Sequence, residues 1–177
     1  MSYPSAYVSY LAEFNGTRDF FECHELLEEY WKEHLGDSRA AIWVGLIQLA
    51  VGQYHERRGN LKGAVKMYEK ALDKLDQQSL EELGLDGGRA IAELRSRYER
   101  LHAGRALPFQ DITLIVTDPE LKQRCLQLCD SLNAEWGSTS AMNEENLIHR
   151  HKLRDRSDVL AERAAAIEAK KKNRTVE

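Results

Sequence analysis

The sequence contains few of the residues that define several large classes of protein. Its three cysteines, Cys23, Cys125 and Cys129, are an odd number without a repeated spacing, so they do not indicate a disulfide framework. A single pair of cysteines four residues apart is a poor zinc site. Three prolines and 11 glycines in 177 residues exclude collagen-like and low-complexity proteins. We therefore expect a globular protein with reduced cysteines, as in the cytosol.

Long apolar runs are also absent. The most apolar window, residues 40–52, has 13 residues and includes Gln48, whereas a membrane span needs about 20. Residues 1–5 lack the basic stretch and the apolar run of a signal peptide. We expect no membrane segment, a buried helix at 40–52 and a cytoplasmic location.

Charge is unevenly distributed along the chain. The net charge of -4 makes a generic nucleic-acid partner unlikely. Residues 1–35 contain two basic and seven acidic residues, whereas residues 147–177 contain nine basic and five acidic residues. The two ends are either separate solvated surfaces or complementary surfaces for self-association or for a partner.

Helix signals dominate the remaining pattern. Asn15 or Thr17 is the predicted cap of the first helix, Asn60 that of the helix at 60–77 and Asp118 that of the helix at 119–137. A β-branched segment over 107–116 is predicted to be extended. The pattern predicts an all-α fold, a compact bundle of about five to six helices with one extended connector (about 107–116) and a long charged C-terminal helix. We expect a helical core domain at 1–137 and a helical extension at 138–177. The predicted helices are 17–34, 37–58, 60–77, a turn at 79–82, 88–102, 119–137 and 143–172.

The first predicted helix carries the most informative residues. Phe20, His24, Leu27 and Trp31 lie on one helical stripe, and Glu25 and Glu28 flank it. Burial of an ionisable side chain is costly unless it is paired or hydrogen-bonded. We therefore predict that His24 and Glu28 are largely buried and that they have polar partners.

The second predicted helix offers those partners. Gly45, Gln48, Gly52 and His55 lie on one stripe, and the two glycines allow a neighbouring helix to approach closely. We expect the first helix to pack here, which would bring His24 and Glu28 close to Gln48 and His55. The cluster is then either a hydrogen-bond network that fixes helix register or a ligand site.

The ligand hypothesis has a defined residue set. A divalent transition metal would be held by His24, Glu28 and His55, with Glu25 as a possible base in a hydrolase. His24–Glu28 is not an HExxH motif, because the second histidine is absent. The pattern leaves open whether the protein is an enzyme. The candidate ligand-binding residues are His24, Glu25, Glu28, Trp31, Gln48 and His55.

The C-terminal segment has too few apolar residues to be held by the core. A long helix with a weak apolar stripe is marginal alone, because most helical stability comes from packing. We expect the segment to dock on a partner surface, and the acidic N-terminal region of a second copy is the simplest one. This predicts a homodimer through the C-terminal helix.

The pattern that runs from Phe14 through His24, Trp31, Gly45 and His55 to Ala64 resembles the bacterial and archaeal domain-of-unknown-function family 309. The resemblance covers about residues 14–76 and departs at Cys23, where the family commonly has alanine. It implies a small all-helical fold and no particular activity. We interpret the chain as a cytosolic structural or interaction protein, with a metal- or small-ligand-binding protein as the alternative. The matching residues are Phe14-Asn15, Phe20 to Glu29, Trp31, Gly45 to Ala50, His55, Gly59-Asn60 and Gly63-Ala64.

Overall fold

The computed structural model describes residues 2–149, and in this range the chain forms eight α-helices and no β-strand. The predicted all-α fold is confirmed. Helix α3 packs most extensively against α4 and then against α2, while α1 packs on α2 and α7, and α6 on α4 and α5. The helices are α1 (Ser5–Ala12), α2 (Phe20–Glu33), α3 (Ala40–Arg57), α4 (Leu61–Lys74), α5 (Gln77–Glu82), α6 (Gly87–His102), α7 (Pro119–Ser131) and α8 (Glu145–Ile148).

The long C-terminal helix predicted over 143–172 lies outside the described residues from 150 onward. The division of the chain at residue 137 stays a prediction. Within residues 2–149 no helix has both the length and the apolar character to cross a membrane.

Helix α1 was not predicted from the sequence. Tyr7, Tyr10 and Leu11 are fully buried, and Val8 and Ala12 are nearly or fully so. A short helix that is covered on most sides shows no amphipathic stripe, so its periodicity gives no signal. A π-helical turn, Glu13–Thr17, follows it and leads into α2.

Capping side chains define where most of the following helices begin. Asn60 caps α4 and Asp118 caps α7, as the sequence indicates. The predicted cap of α2 is wrong, because Asp19 accepts the hydrogen bond from the Glu22 backbone N–H at 3.1 Å. Asn15, one of the two residues proposed as that cap, has a different role in the core.

The predicted extended connector crosses the core and is stabilised by side chains rather than by a sheet. Its residues Ile112, Leu114 and Val116 are buried, and a single bridge pairs Val116 with Leu85. The Leu114 N–H donates to Asn15 Oδ1 at 3.0 Å, and Asn15 Nδ2 donates to the Leu114 carbonyl at 2.7 Å. Asn15 therefore pairs with both polar backbone groups of Leu114, as a neighbouring strand would.

Ile112 is held in the same way. Its N–H donates to Gln53 Oε1 at 2.8 Å, and its carbonyl accepts from Arg18 Nη1 at 2.7 Å. Gln53 Nε2 in turn donates to the Tyr68 hydroxyl at 2.6 Å, and this hydroxyl donates to Glu56 Oε1 at 2.8 Å. Burial raises the pKa of Tyr68 well above its ordinary value, so the hydroxyl stays a donor. The connector is thus linked to α3 and α4.

The glycine stripe of α3 faces α4, not α2, which corrects the predicted helix pairing. A Cβ atom on Gly52 would lie 2.4 Å from Cε1 of Tyr68, and one on Gly45 would lie 2.7 Å from Leu75 Cδ2. Both partners belong to or follow α4. The close crossing therefore leaves the α2 side of α3 to other residues.

We expect Gly52→Leu to destabilise the protein by more than about 1–3 kcal/mol, because the Tyr68 ring is fully buried and cannot move aside. Thermal and urea unfolding measure the change. Gly36→Ala is the matched control, since nothing lies within 4 Å of the added atom and a near-neutral effect is expected. Equal melting of Gly52→Leu and the unchanged protein would contradict the close crossing.

Candidate functional site

His24 lies at the edge of the buried face of α2 rather than at its centre. Phe20, Cys23 and Leu27 are the fully buried residues of this helix. The side chain of His24 is 27% exposed and that of Glu28 is 31% exposed, more than the sequence predicted. The reason is α1, since the Cys23 thiol packs against it and contacts the Tyr10 carbonyl at 3.4 Å. A helix that packs between two other helices buries the residue that faces both of them.

The polar partners of His24 come from its own helix. Its Nε2 lies 2.8 Å from Glu28 Oε2, and its Nδ1 lies 3.6 Å from Glu25 Oε1. Lys32 Nζ lies 3.2 Å from the other oxygen of Glu28. The prediction that His24 and Glu28 have partners is met by a surface chain of charges along α2.

His24 and His55 both line one small apolar cavity. The cavity has a volume of about 140 Å³. The Nδ1 atom of His55 lies 3.3 Å from Asn60 Nδ2 and 3.4 Å from Arg58 Nε, so this side of the ring faces the start of α4. We call this cavity the histidine pocket; it is lined by Phe20, Phe21, His24, Val51, Tyr54 and His55.

A second depression follows the exposed side of α2. It has a volume of about 390 Å³, and Glu25 and Glu28, the two partners of His24, both line it. His24, which lines the histidine pocket, therefore links it to this depression through its two carboxylate partners. We call it the acidic groove; it is lined by Glu22, Glu25, Leu26, Glu28, Glu29 and Lys32.

The remaining candidates are not joined to this cluster. Gln48 is half-buried, and its Oε1 atom is buried without a hydrogen-bond partner in the described part of the chain. Trp31 is half-buried and packs against the core. Because the glycine stripe carries Gln48 towards α4, the predicted contact between Gln48 and His24 does not form a hydrogen bond.

The predicted metal ligands lack the geometry of a metal centre. No group of three His, Cys, Asp or Glu side chains between residues 2 and 149 is placed to hold a metal ion. His24 and Glu28 are paired with each other, and His55 lies across the apolar pocket from them. The structure thus gives no support to the set His24, Glu28 and His55 as a chelating site.

A buried arginine pair stands beside the histidine pocket, and the sequence analysis did not identify it. Arg18 is 1% exposed and Arg57 is 4% exposed. Arg57 Nη1 donates to the Arg18 carbonyl at 2.6 Å, and its guanidinium lies 4.5 Å from the centre of the Phe20 ring. Burial lowers the pKa of Arg57 to about 10, with Asp111 and Asp19 opposing the shift, so the guanidinium stays charged at neutral pH.

The arginine pair anchors residues 137–148, which lie a few residues after the end of α7 and which we call the strap. Arg18 Nε donates to the Ser138 carbonyl at 2.7 Å, and Arg57 Nη2 donates to the Leu147 carbonyl at 3.1 Å. The Ser140 N–H donates to an oxygen of Asp111 at 2.7 Å. Leu147 is also buried, with 8% exposure. The strap therefore ends on the core at the α2–α3 edge.

A sequence signal for Arg57 existed. Leu46, Ala50, Gln53 and Arg57 are all buried and follow one another at helical spacing. An arginine that continues an apolar stripe is a candidate for burial with carbonyl partners. For Arg18 the sequence holds no comparable signal, because its left-handed backbone, with φ of 60°, lies between two helices.

Comparison with known proteins places these features in a family. The family model described as "Domain of unknown function (DUF309)" matches residues 7–67, which include most of α1, all of α2 and α3, and every residue of the histidine pocket. The chain is 44% identical over 174 residues to the uncharacterized protein YpuF of Bacillus subtilis (strain 168), covering 97% of this chain and 99% of that protein. No solved structure matches the chain. The likeness to YpuF extends through the connector and the strap into the C-terminal segment, and the chain belongs to the DUF309 family.

Proposed function

We propose that this protein acts through protein–protein contacts and that the α2–α3 face docks a basic, amphipathic helical segment. The observation that supports this is the junction of an apolar pocket with an acidic groove at His24. A helix that binds in a groove needs an apolar anchor site flanked by complementary charge. Carboxylates along the groove repel phosphates, so they favour a basic protein segment over a nucleic acid.

The first partner that we propose is a second copy of the chain, in the cytoplasm. Residues 147–177 contain nine basic and five acidic residues, opposite in sign to the acidic groove. The strap ends beside α2 and α3, so these residues begin close to the surface that they would complement. A symmetric dimer in which each C-terminal segment crosses to the other copy uses both surfaces twice.

The charge component can be tested by reversal. Glu25→Lys combined with Glu29→Lys should raise the dimer dissociation constant at least tenfold, because both carboxylates line the acidic groove. Light scattering after size exclusion measures the mass, against 20.3 kDa for one chain. The unchanged dimer should also weaken at 1 M salt, where the screening length falls to roughly 3 Å.

The matched control is Glu69→Lys combined with Glu99→Lys, which changes the net charge equally on exposed positions of α4 and α6. This variant should keep the dimer. Two results would overturn the proposal: a monomer at every concentration of the unchanged chain, or equal weakening by both double variants.

The alternative, metal binding by His24, Glu28 and His55, has a direct test. We expect His24→Ala combined with His55→Ala to leave the affinity for Zn²⁺ unchanged in equilibrium dialysis, because the ring nitrogens of His24 already face two carboxylates. The unchanged protein is the reference and carries the same C-terminal histidines. A loss of affinity of tenfold or more in the double variant would instead establish a metal site.

A further inference from the structure

We infer that Leu153 of a second copy is the side chain that fills the histidine pocket, with the basic residues around it lying along the acidic groove. This inference rests on the proposed docking function and names its anchor. In many protein interfaces a few side chains that are buried in well-packed pockets carry most of the binding energy. Four separate observations identify this one.

The size of the histidine pocket fits one side chain. Its volume is about 140 Å³, whereas sites for small-molecule ligands typically measure about 300–1,000 Å³. Its walls are three aromatic rings, a valine and two imidazoles. Such a cavity suits an aliphatic side chain, and leucine is both aliphatic and flexible enough to enter it.

The position where the described chain ends brings the C-terminal segment to this pocket. The Leu147 carbonyl accepts a hydrogen bond from Arg57, and the Arg57 guanidinium stacks on Phe20. Phe20 is itself a wall of the histidine pocket. The described chain therefore ends close to the pocket, because only the Arg57 side chain lies between the Leu147 carbonyl and Phe20.

Charge, together with closeness in the chain to Leu147, selects Leu153 among the apolar residues that follow. It is the only aliphatic residue in 150–156, a stretch with four basic residues and one acidic residue. Leu160 lies in 157–163, which has one basic and two acidic residues. Only the first stretch complements a groove lined by four glutamates.

A second copy is the occupant that these observations favour. Residues 149–152 contain no Gly, Pro, Asn or Asp, the residues that most often turn a chain back on itself. If a two-fold axis near the strap relates two copies, the segment needs no such turn. The end of the strap lies beside the pocket, so the axis would place each segment next to the pocket of the other copy. The contact is then reciprocal, with two anchors in each dimer.

The experiment compares Leu153→Asp with Leu160→Asp in the full chain, by light scattering over a range of concentrations. Both substitutions lie outside the described core, and circular dichroism confirms that the core stays folded. We expect Leu153→Asp to raise the dimer dissociation constant at least tenfold, and Leu160→Asp to change it less than threefold. Val51→Phe, which puts a larger side chain into the wall of the pocket and fills it, should reproduce the effect of Leu153→Asp.

The outcomes separate the anchor from the docking function. If charge reversal at Glu25 and Glu29 dissociates the dimer but Leu153→Asp does not, the docking surface stands and the anchor is wrong. If the unchanged chain is a monomer in which Leu153→Asp increases hydrogen exchange in α2 and α3, the segment binds its own copy, and the second copy is wrong. Equal effects of the Leu153 and Leu160 variants would also overturn the anchor.

Discussion

The structure depends on satisfying the backbone of an extended segment inside a helical core. The connector brings three apolar side chains into the interior but has no neighbouring strand within residues 2–149. A buried N–H or carbonyl without a partner costs about 1–3 kcal/mol. Asn15, Gln53 and Arg18 supply the partners that a sheet would supply. Asn15 lies in the π-helical turn after α1, Arg18 lies just before α2, and Gln53 lies in α3. By binding one connector, they fix the relative positions of α1, α2 and α3.

The same constraint reaches the proposed docking surface. Arg18 bonds to the connector on one side and to the strap on the other, and its left-handed backbone, which costs a non-glycine residue about 1–2 kcal/mol, is held by these bonds. Arg57 donates a hydrogen bond to the Arg18 carbonyl, stacks on Phe20 and donates to the Leu147 carbonyl at the end of the strap. One network thus fixes the end of the strap on the core and shapes one wall of the histidine pocket.

Much of this architecture follows from the sequence, and the failures have physical causes. The periodicity of α4 and the caps Asn60 and Asp118 were readable because amphipathic stripes and capping side chains are local. Helix α1 gave no stripe, and without it the inner face of α2 was centred on His24 instead of Cys23. The pairing of the α3 glycines with Tyr68 is a tertiary choice that the spacing leaves open between two neighbours. The half-buried Glu25 and Glu28 follow from the helical stripe, but the depression that they line is created by packing.

The most direct test of this account is native-state hydrogen exchange, followed by NMR, at the backbone amides of Ile112 and Leu114. These N–H groups donate to Gln53 and Asn15 in the interior, so they should exchange as slowly as the amides in the middle of α3, through global unfolding alone. The neighbouring Thr113, whose side chain bonds to Arg18 but whose residue is only half-buried, is the internal comparison. Exchange of Ile112 and Leu114 at the rate of the exposed loop before the connector would contradict the claim that buried side chains replace a sheet and organise the fold.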